Sequence, residues 1–414
     1  MRSRRDIDTV IENKKRTILG IVDARPAPGI RNDLAQITTP QREDTRIADL
    51  VEDSIKEFVE LNVKNGIEFR CMSLDQLHNW LPVDLLSSCQ AHVTKNLQIE
   101  MMSWAVGVGR NRLQFKADFF VDKEVYVRIN YPFDIASDGM RSNVSDPNHR
   151  LTKYNMGRPR QTWGHGPHKD SWYGHSHTAI NLWFAVCGTN EQATMTIYPD
   201  HAYKATAFNE ESMYASYSEN LGLNVPLKLE RGENFIFDPE LLHSTRVNTS
   251  DETRVVLTLR LSEFQPAFSD KIKHEIYNYW IRADDIDRGS LDGKEVGYLL
   301  KIDDFAETSL MQEKYVYEVR SAVDLSGNSL TRSDFKVADN VIFEINGADI
   351  NCLGVWNEGN LYKFGKNCPH VGAPLIGGYF DIKKLSIKCP AHGVEFCVQS
   401  GSSAANKLRL RVFE

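Results

Sequence analysis

The most specific spacing of reactive residues in this chain is formed by two cysteine–histidine pairs near its C-terminus. One residue separates Cys368 from His370, two separate Cys389 from His392, and 18 residues lie between the pairs. Two thiolates and two imidazoles can bind a [2Fe–2S] cluster in which histidines replace cysteines on one iron. The same four groups can also bind zinc, although zinc fingers usually pair cysteine with cysteine and histidine with histidine. The mixed pairs therefore favour the iron–sulfur cluster.

The sequence around these pairs resembles the Rieske ferredoxins and the Rieske domains of ring-hydroxylating oxygenases. The resemblance rests on the segments CPHVGAPLIGG, IKCPAHGVEF and QSG. It implies that Cys368 and Cys389 bind one iron of the cluster, whereas His370 and His392 bind the other.

The chain departs from the respiratory-chain Rieske proteins at four positions. Ala373 and Ala391 replace the cysteines of a disulfide, and Val394 and Phe396 replace hydroxyl side chains that donate toward the cluster. Fewer donors stabilise the reduced cluster less, so the resemblance implies a reduction potential toward the low end of the Rieske range. Such a potential suits a ferredoxin or a flavin reductase as the electron donor.

A second group of candidate ligands lies in the larger N-terminal part. His168 and Asp170 stand in a polar loop before a predicted strand, and His243 follows 73 residues after Asp170. Two histidines and one carboxylate form the facial triad of non-haem Fe(II) oxygenases, which leaves positions open for co-substrate and O₂. Arg254 lies eleven residues beyond His243, and its guanidinium can grip a carboxylate at two points. The pattern predicts iron with 2-oxoglutarate.

The segments PHKDSWYGHSHTAINLWFAV and GENFIFDPELLHSTRVNTSDETRVVLTLRL resemble the phytanoyl-CoA dioxygenase superfamily of Fe(II)/2-oxoglutarate oxygenases. The resemblance implies a double-stranded β-helix with His168, Asp170 and His243 on the iron. It also implies that Arg254 holds the distal carboxylate of 2-oxoglutarate and that Trp183 lines the co-substrate site. Relatives that halogenate lack the carboxylate ligand, so the presence of Asp170 implies hydroxylation or a related oxidation.

Other polar residues near these motifs leave alternatives open. His165, His175 and His177 crowd the same loop, and each could be a ligand, a substrate contact or an ordinary solvated histidine. Arg128 and Asn130 share one face of the predicted strand VYVRIN. They could contact the co-substrate or simply be polar strand residues.

The elements that must position these motifs are mostly short strands. Helices are predicted from Asp44 or Thr45, over Ser73–Leu81 and from Val83. Many short strands separated by uneven loops predict a barrel or jelly roll with helices packed outside. The fold class is therefore mostly β with flanking helices: a double-stranded β-helix (jelly roll, cupin-like) oxygenase domain and a small all-β Rieske domain. The strands are predicted at Leu113–Val121, Val125–Asn130, Thr178–Val186, Ala193–Tyr198, Asn234–Phe237 and Val255–Ser262.

The organisation along the chain predicts four segments. Residues 1–43 form an extension, 44–300 the oxygenase domain, 301–311 a linker and 312–414 the Rieske domain. The charged segment from Gln265 to about Met311 is expected to be helical. Asn346-Gly347 and Asn357–Asn360 are typical of hairpin turns in the last domain.

The composition of the chain indicates which partners and which cellular location to expect. Forty-nine basic against fifty-six acidic residues give a net charge of −7, which argues against nucleic acid as a partner. No stretch approaches about 18 apolar residues, so no membrane-spanning helix is expected. Seven cysteines favour reduced thiols or metal ligands over a disulfide framework, and therefore a cytoplasmic location.

These features predict an oxidoreductase that hydroxylates, desaturates or cyclises an unactivated C–H bond of a small molecule. Decarboxylation of 2-oxoglutarate and the substrate each supply two electrons, so the cluster is expected to supply only auxiliary electrons, which re-reduce iron that has stalled as Fe(III). Two alternatives stay open: a reductase-driven oxygenase that does not use 2-oxoglutarate, and a redox or iron sensor. A homo-oligomer would be functional if the cluster-to-iron distance within one protomer were too long.

Overall fold

The chain forms two β-rich units, an N-terminal one up to Leu300 and a C-terminal one from Ala322, seen in a computed structural model. The predicted linker 301–311, most of the predicted extension 1–43 and the side chain of His177 lie outside the described residues. The residues that the structure describes are 35–115, 118–139, 165–176, 178–198, 201, 206, 208–209, 214–215, 221, 225–239, 241–263, 265–269, 279–295, 298–300, 322–323, 329–330, 342–346, 351–357, 360–370, 372–381, 383–389 and 391–413.

Two long helices pack beside the sheet of the N-terminal unit. Helix α1 (Arg42–Asn62) has the predicted amphipathic pattern, with Ile47, Val51 and Ile55 buried. It begins two or three residues before the predicted start. Helix α2 covers Leu86–Asn111, and the predicted helix over Ser73–Leu81 is a single 3₁₀ segment, Leu74–Asn79. The other helical elements are α3 (Phe133–Gly139), α4 (Ala283–Asp287) and the 3₁₀ segments Gly66–Cys71, Val83–Leu85, Asp170–Tyr173 and Leu375–Gly377.

Asp44 is a buried carboxylate that ties the two long helices together. It accepts hydrogen bonds from the Gln41 backbone N–H (2.7 Å) and from Trp104 Nε1 (2.7 Å), and it forms an ion pair with Arg112. Asp44→Ala would leave the arginine without its buried counter-ion, so we expect the free energy of unfolding to fall by about 3 kcal/mol. Urea unfolding followed by circular dichroism measures it.

The matched control for this substitution is Asp49→Ala on the same helix. Asp49 pairs with Arg231 in solvent, and exposed pairs contribute only about 0.5 kcal/mol. Equal losses in the two variants would contradict the stabilising role of the buried carboxylate.

The strands of the N-terminal unit form two main sheets. The large sheet has the order β1-β9-β4-β11-β2-β13-β14, with β3 also paired to β11, and the smaller sheet has the order β10-β5-β8. The strands are β1 (Ala35–Thr38), β2 (Phe120–Asp122), β3 (Tyr126–Asn130), β4 (Ile180–Cys187), β5 (Met195–Ile197), β6 (Phe208–Asn209), β7 (Tyr214–Ala215), β8 (Val225–Pro226), β9 (Asn234–Phe237), β10 (His243–Thr245), β11 (Arg254–Ser262), β12 (Ala267–Ser269), β13 (Tyr279–Arg282), β14 (Lys294–Glu295) and β15 (Tyr298–Leu300).

Strand β11 separates the two layers of the core. Val255, Leu257 and Leu259 pack with the helices, whereas Val256 packs with Trp183 and the strands of the opposite layer. Successive side chains of a strand point to opposite faces. Arg254, Thr258 and Arg260 therefore share the face of Val256, inside the β-sandwich. The mostly β fold predicted from the sequence, a double-stranded β-helix with flanking helices, is confirmed.

In the part of the C-terminal unit that the structure describes, the elements are strands and one 3₁₀ segment, in line with the predicted small all-β domain. One sheet has the order β18-β19-β20-β24 and the other β21-β22-β23. Both predicted hairpins are present, because Asn346 pairs with Asn351 and Asn357 pairs with Asn360. The strands are β16 (Ala322–Val323), β17 (Ser329–Leu330), β18 (Ile342–Asn346), β19 (Asn351–Asn357), β20 (Asn360–Phe364), β21 (Tyr379–Asp381), β22 (Ser386–Lys388), β23 (Glu395–Cys397) and β24 (Val412–Phe413).

The expectation of helix from Gln265 onward is wrong in the part of this segment that the structure describes. Strands β12 to β15 lie there, and only Ala283–Asp287 is helical. Strand β13 pairs with β2 at the edge of the large sheet, so tertiary pairing overrides the local charge pattern. Within the described residues, no helix has the length and apolarity to cross a membrane.

Candidate metal centres

The backbone brings the first candidate triad together from two separate segments. His168 and His243 form an antiparallel β-bridge, with N–H···O distances of 2.8 and 3.0 Å in the two directions. Asp170 opens a 3₁₀ turn two residues after His168, and its backbone N–H donates to Pro239 O (2.9 Å). The loop and the start of β10 are therefore fixed to each other by main-chain hydrogen bonds.

The three side chains converge on one point. A ligand atom from each of His168, Asp170 and His243 lies within 4.8 Å of the others, and all three residues are buried. Asp170 Oδ1 is 3.4 Å from His168 Nε2 and 3.6 Å from His243 Nε2. His168 Nδ1 bonds to Gly166 O (2.7 Å) and His243 Nδ1 to Leu241 O (2.8 Å). These carbonyls direct both Nε2 atoms inward, as metal-binding histidines require.

The electrostatics suit a cation. Burial by itself raises the pKa of Asp170, but Arg260 and the hydrogen bond from His168 act against it, and the net pKa lies well below its usual range. Burial, together with His168, lowers the pKa of His243 to about 4. An ionised carboxylate and a neutral imidazole are the protonation states that bind metal. The donor set fits Fe(II).

Arg254 lies inside the same β-sandwich and is only 2 % exposed. Its Nη2 donates to Asn130 Oδ1 (2.5 Å) and its Nη1 to Ala193 O (3.3 Å), while Nε has no hydrogen-bond partner among the described residues. Its Cζ is 5.9 Å from the ring centre of Trp183. Burial, together with Arg128, lowers the pKa of Arg254 to about 9. A buried cation with a vacant donor fits a carboxylate ligand.

Two other histidines that the sequence offers as possible ligands, His165 and His175, lie close to the triad. His165 lies 5.5 Å, centre to centre, from the ring of His168, and its Nε2 is 3.4 Å from Arg128 Nη1. The His175 backbone N–H donates to Asp170 O (3.2 Å). Both histidines fall outside the group of converging ligand atoms.

Sequence reasoning missed Arg260. Its Nη2 donates to Asp170 Oδ2 (3.1 Å), which leaves Oδ1 directed at the two histidines. Arg260 also lies 3.7 Å from the buried Asp122. A signal was available, because Arg254 and Arg260 are six residues apart on one strand and so share the inward face.

The four predicted cluster residues occupy two matched loops. In each loop the glycine four residues after the cysteine donates its N–H to that cysteine's carbonyl, Gly372 at 2.8 Å and Gly393 at 3.0 Å. Both glycines have positive φ, 78° and 66°. The loops therefore turn in the same way and bring Cys368 beside Cys389.

The cysteine and histidine side chains meet between these loops. The rings of His370 and His392 are 5.0 Å apart, and all four side chains are buried. The hydrogen bond with Cys368 lowers the pKa of Cys389, and burial acts against it. Hydrogen bonds from the His392 and Ala391 backbones lower the pKa further, so it lies below its usual value. Amide donors toward a thiolate sulfur fit a [2Fe–2S] cluster.

The tip that carries the cluster residues contacts the N-terminal unit. Phe133 lies edge-on to the His370 ring, with 5.2 Å between ring centres, and the Val247 backbone N–H donates to His392 O (3.2 Å). Arg246 Nη2 donates to Gly393 O (2.6 Å). The sequence predicted both sites but gave no sign of this contact.

The fold and the two donor sets define a non-haem iron oxygenase joined to an iron–sulfur domain. Residues 91–256 match the family model of phytanoyl-CoA dioxygenase, and residues 318–412 match that of the Rieske [2Fe-2S] domain. The chain thus joins a phytanoyl-CoA dioxygenase domain to a C-terminal Rieske [2Fe-2S] domain. The two family matches indicate Fe(II), 2-oxoglutarate and a [2Fe–2S] cluster as the cofactors of this oxidoreductase. Comparison with curated proteins finds no significant match.

Several solved structures resemble parts of the chain. The ferredoxin of carbazole 1,9a-dioxygenase from Nocardioides aromaticivorans IC177 has 24% identity and a TM-score of 0.19, over 24% of this chain and 86% of that one. The non-haem alpha ketoglutarate dependent carbocyclase SnoK from nogalamycin biosynthesis has 11% identity and a TM-score of 0.33, over 59% of this chain and 90% of that one. The epimerase SnoN has 13% identity and a TM-score of 0.31, over 43% of this chain and 63% of that one. Such weak likeness gives no guide to the substrate.

Proposed function

We propose that this chain is a cytoplasmic oxygenase that uses O₂ and 2-oxoglutarate to hydroxylate, desaturate or cyclise an unactivated C–H bond of a small molecule. The observation that carries the proposal is Arg254. It is a buried guanidinium with a vacant Nε on the inward face of the sheet that also carries Arg260, the partner of Asp170. A dicarboxylate co-substrate would supply the missing counter-ion.

Each residue has a separate task in the proposed site. His168, Asp170 and His243 would hold Fe(II), and Arg260 would keep the second carboxylate oxygen of Asp170 engaged. Arg254 would bind the distal carboxylate of 2-oxoglutarate, with Trp183 and Asn130 beside it. When bound, iron and 2-oxoglutarate supply the O₂ activation, with two electrons from decarboxylation to succinate and CO₂ and two from the substrate. The buried side chains exclude water from this region.

We propose that the Rieske cluster, bound by Cys368, His370, Cys389 and His392, supplies auxiliary electrons. His168, Asp170 and His243 would hold an iron that needs one electron whenever an unproductive turnover leaves it as Fe(III). A ferredoxin or a flavin reductase would recharge the cluster. This role is compatible with 2-oxoglutarate as the main source of electrons, because it is used only when turnover fails to return Fe(II).

A second candidate function is a reductase-driven oxygenase in which the cluster feeds every turnover. The contact of the cluster tip with Val247, only four residues from His243, favours an electron supply of either kind. The two functions differ in their need for 2-oxoglutarate. A redox or iron sensor without turnover would retain both metals yet form no succinate.

The test needs no substrate. Anaerobic Fe(II)-loaded protein with a reduced cluster is mixed with 2-oxoglutarate, and we expect a metal-to-ligand charge-transfer band. Succinate, which has no keto group to chelate iron, is the control ligand and should give no band. Exposure to O₂ should then form succinate from 2-oxoglutarate. Iron demonstrably bound with neither band nor succinate would refute the use of 2-oxoglutarate. The reductase-driven oxygenase and the sensor would then be the two functions to compare.

A further inference from the structure

The histidine tip of the C-terminal unit is enclosed by the N-terminal unit of the same chain. His370 is 1 % and His392 3 % exposed. Phe133 and Val247 belong to the hydrophobic cluster that also contains Cys368 and Cys389. The contact is therefore a continuous apolar core around the cluster residues, from which water is excluded.

Two hydrogen bonds fix one loop of the tip to the segment after β10. The Val247 N–H donates to His392 O (3.2 Å), and Arg246 Nη2 donates to Gly393 O (2.6 Å). Arg246 is itself buried, and its own N–H donates to Thr194 O (2.9 Å). A Cβ atom on Gly393 would lie 2.5 Å from Arg246 Nε. Glycine at this position therefore serves the contact as well as the turn of the loop.

A third attachment lies beside the tip. Asp134 accepts hydrogen bonds from the backbone N–H groups of Asn406 (2.9 Å) and Lys407 (3.0 Å), and Lys407 Nζ donates to Asp134 O (2.6 Å). The tip is thus held on both sides, at Asp134 next to Phe133 and at Arg246 next to Val247. Its orientation against the N-terminal unit is fixed.

The segment that receives the tip ends at a residue of the iron triad. Strand β10 begins at His243, and Val247 is four residues farther along the chain. Four residues span at most about 14 Å even when fully extended. Electron tunnelling weakens steeply with distance and is favoured through bonds over gaps. One hydrogen bond and this short covalent segment join the loop of His392 to His243.

We propose that the segment from His243 to Val247 is an electron-transfer link between the two metal centres within one chain, with Arg246 as the positioning residue that holds the Rieske tip on it. The proposal rests on the proposed role of the cluster as an electron source. Each event moves one electron: the reduced cluster is oxidised, Fe(III) at the triad becomes Fe(II), and no bond forms or breaks. A one-electron donor of the ferredoxin or flavin-reductase class replaces the electron.

The first test measures proximity and needs neither O₂ nor 2-oxoglutarate. Protein with an intact cluster is loaded at the triad with paramagnetic Co(II) or diamagnetic Zn(II), and the spin relaxation of the reduced cluster is measured by electron paramagnetic resonance. We expect Co(II) to accelerate relaxation relative to Zn(II). Equal relaxation with the two metals, both shown to be bound, would overturn the proposal.

The second test separates positioning from folding. Arg246→Ala combined with Asp134→Ala should lower the ratio of docked to undocked tip by more than about tenfold, since one hydrogen bond from a charged donor is worth about that factor. The Co(II)-dependent relaxation should fall accordingly, while the cluster spectrum stays. Arg409→Ala is the matched control, because it also removes an arginine–carbonyl bond (to Ser400 O, 3.2 Å) within the C-terminal unit. Unchanged relaxation in the double variant would overturn the positioning role.

A mixing experiment tests whether the link works within one chain. His243→Ala should keep the cluster, and Cys389→Ser should keep iron at the triad. We expect reduction of Fe(III) by the cluster to be first order and independent of concentration in the native chain, but slow and second order in the mixture. A mixture as fast as the native chain would assign the transfer to two different chains. If these tests succeed but the charge-transfer band of 2-oxoglutarate is absent, the use of 2-oxoglutarate is refuted and the electron-transfer link is retained.

Discussion

Arg254→Ala is expected to weaken the binding of 2-oxoglutarate by about 100- to 5,000-fold. Loss of one partner from a buried charge pair costs about 3 to 5 kcal/mol, which corresponds to that factor. The groups that contact the Arg254 guanidinium are Asn130, the Ala193 carbonyl and Trp183, and none of these neutral groups replaces its charge toward a carboxylate. Arg254→Lys keeps the charge but loses the planar guanidinium, so its affinity for 2-oxoglutarate should lie between those of the native chain and of Arg254→Ala.

The affinity is measured by titration of the charge-transfer band under anaerobic conditions. Arg231→Ala is the matched control: it removes another arginine of the N-terminal unit, one that pairs with Asp49 and Glu52 at the surface. Its affinity for 2-oxoglutarate should equal that of the native chain. A native affinity in Arg254→Ala would show that another group binds the co-substrate.

His243→Ala is expected to abolish oxidation and yet leave the cluster unchanged. The substitution removes one of three converging ligand atoms, and the site keeps only His168 and Asp170. The loss of one ligand lowers both the affinity for iron and the stability of a facial arrangement. The cluster residues lie on other loops, so their visible and paramagnetic spectra should persist.

Iron content, succinate formation and the cluster spectrum are measured together on the same preparation. His92→Ala serves as the control, because His92 lies on α2 near Glu57, away from the triad. It should retain all three properties. Oxidation that continues in His243→Ala would show that another histidine, such as His165 or His175, completes the triad.

Both donor sets could be predicted from sequence because each carries a short local signature. Cys368 and His370, like His168 and Asp170, lie within three residues of each other, so one turn places both. Arg254 begins the strand that directly follows the strand of His243 along the chain, although the two strands belong to different sheets. Strand β11 is predictable because Leu257, Leu259 and Leu261 alternate with polar residues, directly after two β-branched valines.

The contacts that depend on distant segments left no such signature. Arg260 reaches Asp170 across 90 positions, and Phe133 reaches His370 across more than 200. Each partner alone is an ordinary strand arginine or core aromatic residue. The strand Tyr279–Arg282 was missed for the same reason, because its pairing with β2 outweighs the charged sequence around it.

The burial of His370 and His392 under Phe133 and Val247 has a consequence for how the protein exchanges with its electron donor. With both imidazoles covered, a separate donor protein cannot touch this end of the cluster in the docked arrangement. It must approach from another face of the C-terminal unit or displace the tip. Electrons then enter the cluster and leave it on different sides. The surface that binds the donor protein can therefore change in evolution without a change in the oxygenase domain.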